Sequence, residues 1–85
     1  MTWSEEAREI VDDLIQELPL PVRDSIREVA QFRAEALAEG TAKVNVETAV
    51  RAFIESTPID LRERLKHTLT YKGIDPEEYD EAFNS

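Results

Sequence analysis

Leu18-Pro19-Leu20-Pro21-Val22-Arg23 separates two segments that each carry apolar residues at helical spacing. A proline inside a helix loses a backbone hydrogen bond and clashes with the preceding turn. Two prolines one residue apart therefore force a break, and Pro21 is well placed to start the next helix. The hexapeptide predicts a helix, a tight apolar corner and a longer helix. It specifies architecture and no reaction.

Upstream of the corner, Ser4 is a good N-cap, with Glu5 and Glu6 placed favourably against the positive helix end. Ala7, Ile10, Val11, Leu14, Ile15 and Leu18 form one continuous apolar stripe that the helix must bury. Glu5, Glu9, Asp13 and Glu17 recur every four residues beside it and read as a solvated face, with a docking strip for a basic partner as the alternative. Downstream, a second helix runs from Pro21 to Glu39. Its inner stripe is Val22, Ile26, Val29, Ala30, Ala34 and Leu37, with Phe32 on a flank, and Gly40 is its natural stop.

Asn45 announces a third helix with Val46, Ala49, Val50, Phe53 and Ile54 as its stripe. Val44 and Val46 flank this cap, and a two-residue strand there has no evident partner, so a structured loop is expected. Thr57 is expected to cap a fourth helix with Pro58 in its first position; Leu61, Leu65 and Leu69 make its stripe and Gly73 ends it. Asp75-Pro76-Glu77-Glu78 opens a short last helix, with Asp75 as cap and Glu78 at the reciprocal capping-box position. Tyr79 and Phe83 must anchor that helix or it frays. No convincing internal repeat is visible.

The resulting expectation is an all-α fold, a single small irregular bundle of four to five helices at about 4–18, 21–39, 46–56, 58–72 and 76–83. Residues 1–85 form a single helical domain. The expected core is Leu14, Leu18, Val22, Ile26, Val29, Val50, Phe53 and Leu65.

Composition narrows the function classes. The chain has 85 residues and no cysteine, which excludes disulfides, thiolate-bound metals and a cysteine nucleophile. No apolar run approaches the roughly 20 residues that span a bilayer, and the N-terminus is not a signal peptide. A cytoplasmic location is expected, without membrane attachment. The formal charge is -9, which argues against nucleic acid; it reads first as a device for solubility, and a protein partner with a basic surface is the sharper reading. The apolar content of so short a chain leaves a homodimer open.

Trp3-Ser4-Glu5-Glu6-Ala7, Leu18-Pro19, Pro21-Val22-Arg23 and the Val44-Asn45-Val46-Glu47 entry into a valine-rich helix together resemble the PCP-red domain. That is the small C-terminal domain of the B subunit of light-independent protochlorophyllide reductase. The resemblance covers residues 2–54 and leaves 55–85 as a C-terminal helical extension. It implies a helical accessory domain connected with a tetrapyrrole-reducing, nitrogenase-like enzyme. The arginines following the corner are more diluted by acidic residues here than that family's pattern has them.

Three residues are candidate ligand contacts. Arg23 and Arg27 lie one turn apart and suit a carboxylate; Trp3 suits a planar ring. The competing reading pairs Arg23, Arg27 and Arg33 internally with Glu28, Glu5 or Glu9 and lets Trp3 cover one end of the core. His67, the sole histidine, with Glu63 one turn before it, does not complete a metal site, and neither metal nor cofactor is expected. No phosphate loop or catalytic constellation is legible, so no catalytic residue is assigned. The expected function is a non-catalytic accessory or interaction domain; the alternative is a module binding a tetrapyrrole or similar planar acid. A stand-alone enzyme is the least favoured reading.

Overall fold

Ser4 and Asn45 open helices in the same way in a computed structural model that describes residues 2–39 and 43–84. The Ser4 hydroxyl accepts a hydrogen bond from the Ala7 amide, at 3.1 Å. The Asn45 side-chain carbonyl accepts one from the Thr48 amide, at 2.8 Å. Each satisfies an otherwise orphaned helix donor. The helices that follow are α1 (Glu5–Gln16), α2 (Leu20–Leu37), α3 (Val46–Ser56) and α4 (Ile59–Tyr71). A 3-10 turn (Pro76–Tyr79) then leads into α5 (Asp80–Phe83). The fold is a small all-α bundle, as expected from the periodicity. The expected stop at Gly40 lies outside the described residues.

A short parallel ladder departs from the expectation of a loop before Asn45. Thr2–Trp3 (β1) pairs with Lys43–Val44 (β2), Thr2 opposite Lys43 and Trp3 opposite Val44. The Ser4 amide adds a hydrogen bond to the Val44 carbonyl, at 2.9 Å. The missing partner strand is thus the N-terminus, far away in sequence. Val44 is fully buried.

Both proline corners are built to one plan, although no repeat is evident in the sequence. After Leu18-Pro19 the Val22 amide bonds the Pro19 carbonyl (3.1 Å), and after Thr57-Pro58 the Leu61 amide bonds the Pro58 carbonyl (2.9 Å). Arg23 then reaches back, Nε to the Leu18 carbonyl at 2.9 Å and Nη2 to the Gln16 carbonyl at 2.8 Å. Arg62 does the same, Nε to the Thr57 carbonyl at 3.0 Å and Nη2 to the Glu55 carbonyl at 3.4 Å. Carbonyls at a helix C-terminus lack intrahelical partners, and a guanidinium there also meets the negative end of the dipole. Each half of the chain is therefore a strand, a helix, an arginine-latched proline corner and a second helix. Buried positions recur around the two corners: Leu14 and Phe53, Ile15 and Ile54, Leu18 and Thr57, Ile26 and Leu65, Ala30 and Leu69.

Thr57 departs from its expected role. It does not cap α4, whose N-cap is Pro58 without a side-chain hydrogen bond. Thr57 is buried, and its Oγ1 donates to the Phe53 carbonyl at 2.7 Å. A hydroxyl taken into the core needs a partner, and the carbonyl one turn back on α3 supplies it.

The core picks Leu14, Leu18, Ile26, Val50, Phe53 and Leu65 are buried, and Val22 is half-buried against them. Val29 is not in the core: it is 45% exposed, and Leu37 is 46% exposed. The physical reason is the α2–α3 packing, the most extensive in the molecule. The buried face of α2 is Ile26, Ala30, Ala34 and Ala38. Small side chains bring two helix axes close, and the stripe of alanines turns Val29 outward.

At the C-terminal end, α4 stops at a Schellman turn. The Ile74 amide bonds the Leu69 carbonyl (2.9 Å) and the Gly73 amide bonds the Thr70 carbonyl (3.1 Å). Gly73 has φ +83°, a conformation that favours glycine. Asp75 accepts from the Glu77 amide at 3.0 Å, but the turn it caps is 3-10, not α. Tyr79 and Phe83 are buried anchors as expected. Arg62 Nη1 also bonds the Phe83 carbonyl at 3.1 Å, and Lys66 Nζ stands 5.2 Å from the Phe83 ring centre.

Burial holds the Tyr79 phenol above its ordinary pKa; Glu47 and Glu78 push the same way, and Arg51 opposes them. Folding therefore favours the neutral phenol. That stabilisation is intact below the ordinary value of 10.0 and is lost as the pH rises through the higher folded value. In a melting series from about pH 8 to about pH 11, Tyr79→Phe should flatten the alkaline decline relative to the parent chain. Parallel curves would show that Tyr79 is not the titrating group.

Candidate functional site

The predicted trio Trp3, Arg23 and Arg27 is split by the fold. Arg23 is spent on the α1 carbonyls and belongs to the corner. Trp3 and Arg27 do come together, with Arg8, Val11, Asp12 and Gln31, around an open cleft of about 280 Å³ between β1, α1 and α2. Arg27 Nη1 donates to Asp12 Oδ1 at 3.0 Å, with both side chains half exposed. Arg8 has no ion-pair partner among the described residues. The arginines do pair internally, but not with Glu28, Glu5 or Glu9. Arg27 takes Asp12, and Arg33 Nη1 takes Glu55 Oε1 of α3 at 3.3 Å. Sequence spacing cannot supply such partners, because they sit on different helices.

His67 is exposed and shares a shallow groove with Glu17, Arg64, Thr68, Tyr71 and Lys72. Among the described residues no group of three or more His, Asp or Glu side chains is placed to hold a metal ion. No helix among them is long and apolar enough to cross a membrane. Along the acidic strip of α1, Glu5, Glu9, Asp13 and Glu17 are exposed, and Asp13 Oδ2 lies 3.8 Å from Lys72 Nζ.

The outer face of α2 is the other feature. Ser25, Val29, Phe32 and Ala36 recur at i, i+4, i+7 and i+11, which places them on one stripe, and all four are exposed. Phe32 is 76% exposed. Asp24, Glu28 and Glu35 lie along one edge of this seam by the same helical spacing. On the other edge Arg33 is neutralised by Glu55. The three arginines of α2 are therefore all engaged elsewhere, and the seam is bordered by negative charge. The sequence places Phe32 on a flank of α2; the signal for its exposure is the alanine series, which claims the opposite side of the helix.

The fold and these surfaces define a small helical domain with a two-stranded ladder, an aromatic–arginine cleft and, among the described residues, an exposed seam on α2 that carries Val29 and Phe32. The chain belongs to the family DUF2621, a protein family of unknown function, whose match covers residues 1–83. This overturns the resemblance to the protochlorophyllide reductase domain: the family found is a different one, and its match runs well past residue 54. The shared Trp3 start and proline corner are short motifs, and the helix entry and helix break they encode are required by any fold of this layout. No curated protein and no solved structure matches the chain.

Proposed function

We propose that this domain is a non-catalytic interaction module that binds a protein partner through the outer face of α2. The observation that carries this reading is Phe32: a large aromatic side chain, mostly in water, in line with Val29 on the longest helix. Aromatic residues at such positions are the side chains that most often anchor protein interfaces. Their exposure costs solubility and contributes nothing to the fold, whose core lies on the opposite face of the helix. The acidic chain keeps the free domain soluble despite this seam.

Phe32→Ser tests it. An exposed substitution of this kind changes stability by about 0.5 kcal/mol or less, so folding is preserved. In quantitative affinity capture from native lysate, the parent chain should recover a stoichiometric partner whose yield falls at least about tenfold with Phe32→Ser, a loss of about 1.4 kcal/mol. The same proteins recovered at the same yield would remove the assignment.

The Trp3 cleft favours a second reading, a site for a small planar acid. The indole supplies a face for stacking, and Arg8 supplies a guanidinium with no ion-pair partner among the described residues. Its volume of about 280 Å³ lies near the lower bound of small-ligand pockets and suits a one-ring or two-ring carboxylate. Nothing in the arrangement singles out a tetrapyrrole. Trp3 is the sole tryptophan, so its emission reports the cleft directly. Titration with 2-naphthoate should quench it saturably, with 2-naphthamide and Arg8→Gln each weakening the effect at least about tenfold. Equal quenching by acid and amide would reject the site.

A further inference from the structure

We propose that the partner segment that covers α2 is a basic amphipathic helix. The inference rests on the reading of α2 as an interaction face and adds the chemistry of what binds there. From Ser25 to Ala36 the seam runs about 16 Å along the axis at 1.5 Å per residue, a span of three turns. Its positions repeat at i, i+4, i+7 and i+11, with Val29 and Phe32 as its large apolar side chains. A strand adds to an exposed sheet edge, which a helix face does not offer, whereas a second helix covers a three-turn stripe of this kind with its own apolar face.

Charge selects the sign of the partner. Glu28 and Glu35 stand two turns apart on one edge, with Asp24 beyond Glu28, and the nearest arginine on the helix, Arg27, is paired with Asp12 of α1. Arg33, on the other edge, is 3.3 Å from Glu55. A helix carrying lysine or arginine beside its apolar stripe meets these carboxylates; one carrying glutamate is repelled. The same argument disfavours a second copy of this chain. In an antiparallel two-fold pair of α2 helices, each edge faces its own symmetry mate. Glu28 and Glu35 of one copy would then confront those of the other, between two chains that each carry a charge of -9.

The test uses synthetic helices of one apolar stripe, leucine at i, i+4, i+7 and i+11, whose edges are lysine, glutamine or glutamate. Binding to the full chain is followed by fluorescence anisotropy at low and high salt. The lysine-edged helix is expected to bind at least about tenfold more tightly than the glutamate-edged one at low salt. The gap should narrow with added salt, invert in a Glu28→Lys/Glu35→Lys variant and vanish with Phe32→Ser. No preference among the three helices, or a preference untouched by the charge reversal, would overturn the proposal. So would sedimentation showing a dimer of the parent chain that Phe32→Ser dissolves. If native capture depends on Phe32 while the lysine-edged helix shows no advantage, the interaction face stands and only its basic partner falls.

Discussion

Leu14→Ala is expected to cost about 2–5 kcal/mol of folding stability. Leu14 is 1% exposed and sits on α1 in the stripe with Val11, Ile15 and Leu18, all buried. Removing its isobutyl group loses the transfer free energy and leaves a cavity that packed helices refill only in part. Domains of this size have on the order of 5–10 kcal/mol in total, so the variant gives up a large fraction of its stability. Chemical denaturation reads this as a lower midpoint at unchanged slope. A midpoint equal to that of the parent chain would mean that α1 does not bury this stripe.

Arg62→Met is the second large effect, expected to cost about 2–3 kcal/mol from the loss of charge-assisted hydrogen bonds. Methionine keeps an apolar stem and removes the guanidinium. Three carbonyls lose a donor: Thr57, Glu55 and Phe83. The first two end α3, and the third belongs to α5, so one residue ties the second corner to the C-terminal helix. Arg23→Met removes the equivalent latch at the first corner, where the contacts stay within Gln16–Leu18. Hydrogen exchange separates the two. Arg62→Met should speed exchange at residues 76–83 as well as lower the melting temperature, whereas Arg23→Met should leave residues 76–83 unchanged. Equal C-terminal exchange in both variants would dismiss the role of Arg62 as a tie.

Helix positions were legible in the sequence because local chemistry determines them. Ser4 and Asn45 cap with side-chain oxygens, Gly73 takes the left-handed turn residue, and the two proline corners break the helices where proline must. What escaped the sequence depends on contacts between distant segments. The β1–β2 ladder joins Thr2–Trp3 to Lys43–Val44, and neither dipeptide signals a strand by itself. Thr57 has the composition of a cap and the environment of a core residue. Val29 scores as apolar and periodic, yet alanines occupy the α2 face that meets α3, since close helix packing rewards small side chains over hydrophobic ones. The same turn of α2 exposes Phe32.

The candidate sites follow that pattern. Residue type alone marks Trp3 and Arg27, and the fold does bring them to one cleft. The rigid setting of Arg23 after the prolines is what commits it to the Gln16 and Leu18 carbonyls. Arg8, which lines the cleft without an ion pair among the described residues, carries no sequence signal, because its place beside Trp3 depends on how β1 enters α1. The Leu18-Pro19 and Thr57-Pro58 corners, each with an arginine four residues after the proline, were visible in retrospect as a repeat. Only the shared hydrogen-bond pattern gives the spacing its meaning.

The most direct measurement of the central claim is amide hydrogen exchange of the parent chain, free and bound to the partner it captures. Protection concentrated on residues 25–36 of α2, with the Trp3 cleft unchanged, is the predicted footprint. Protection centred on Trp3, Arg8 and Gln31, or spread over α1 with α2 still open to solvent, would contradict it.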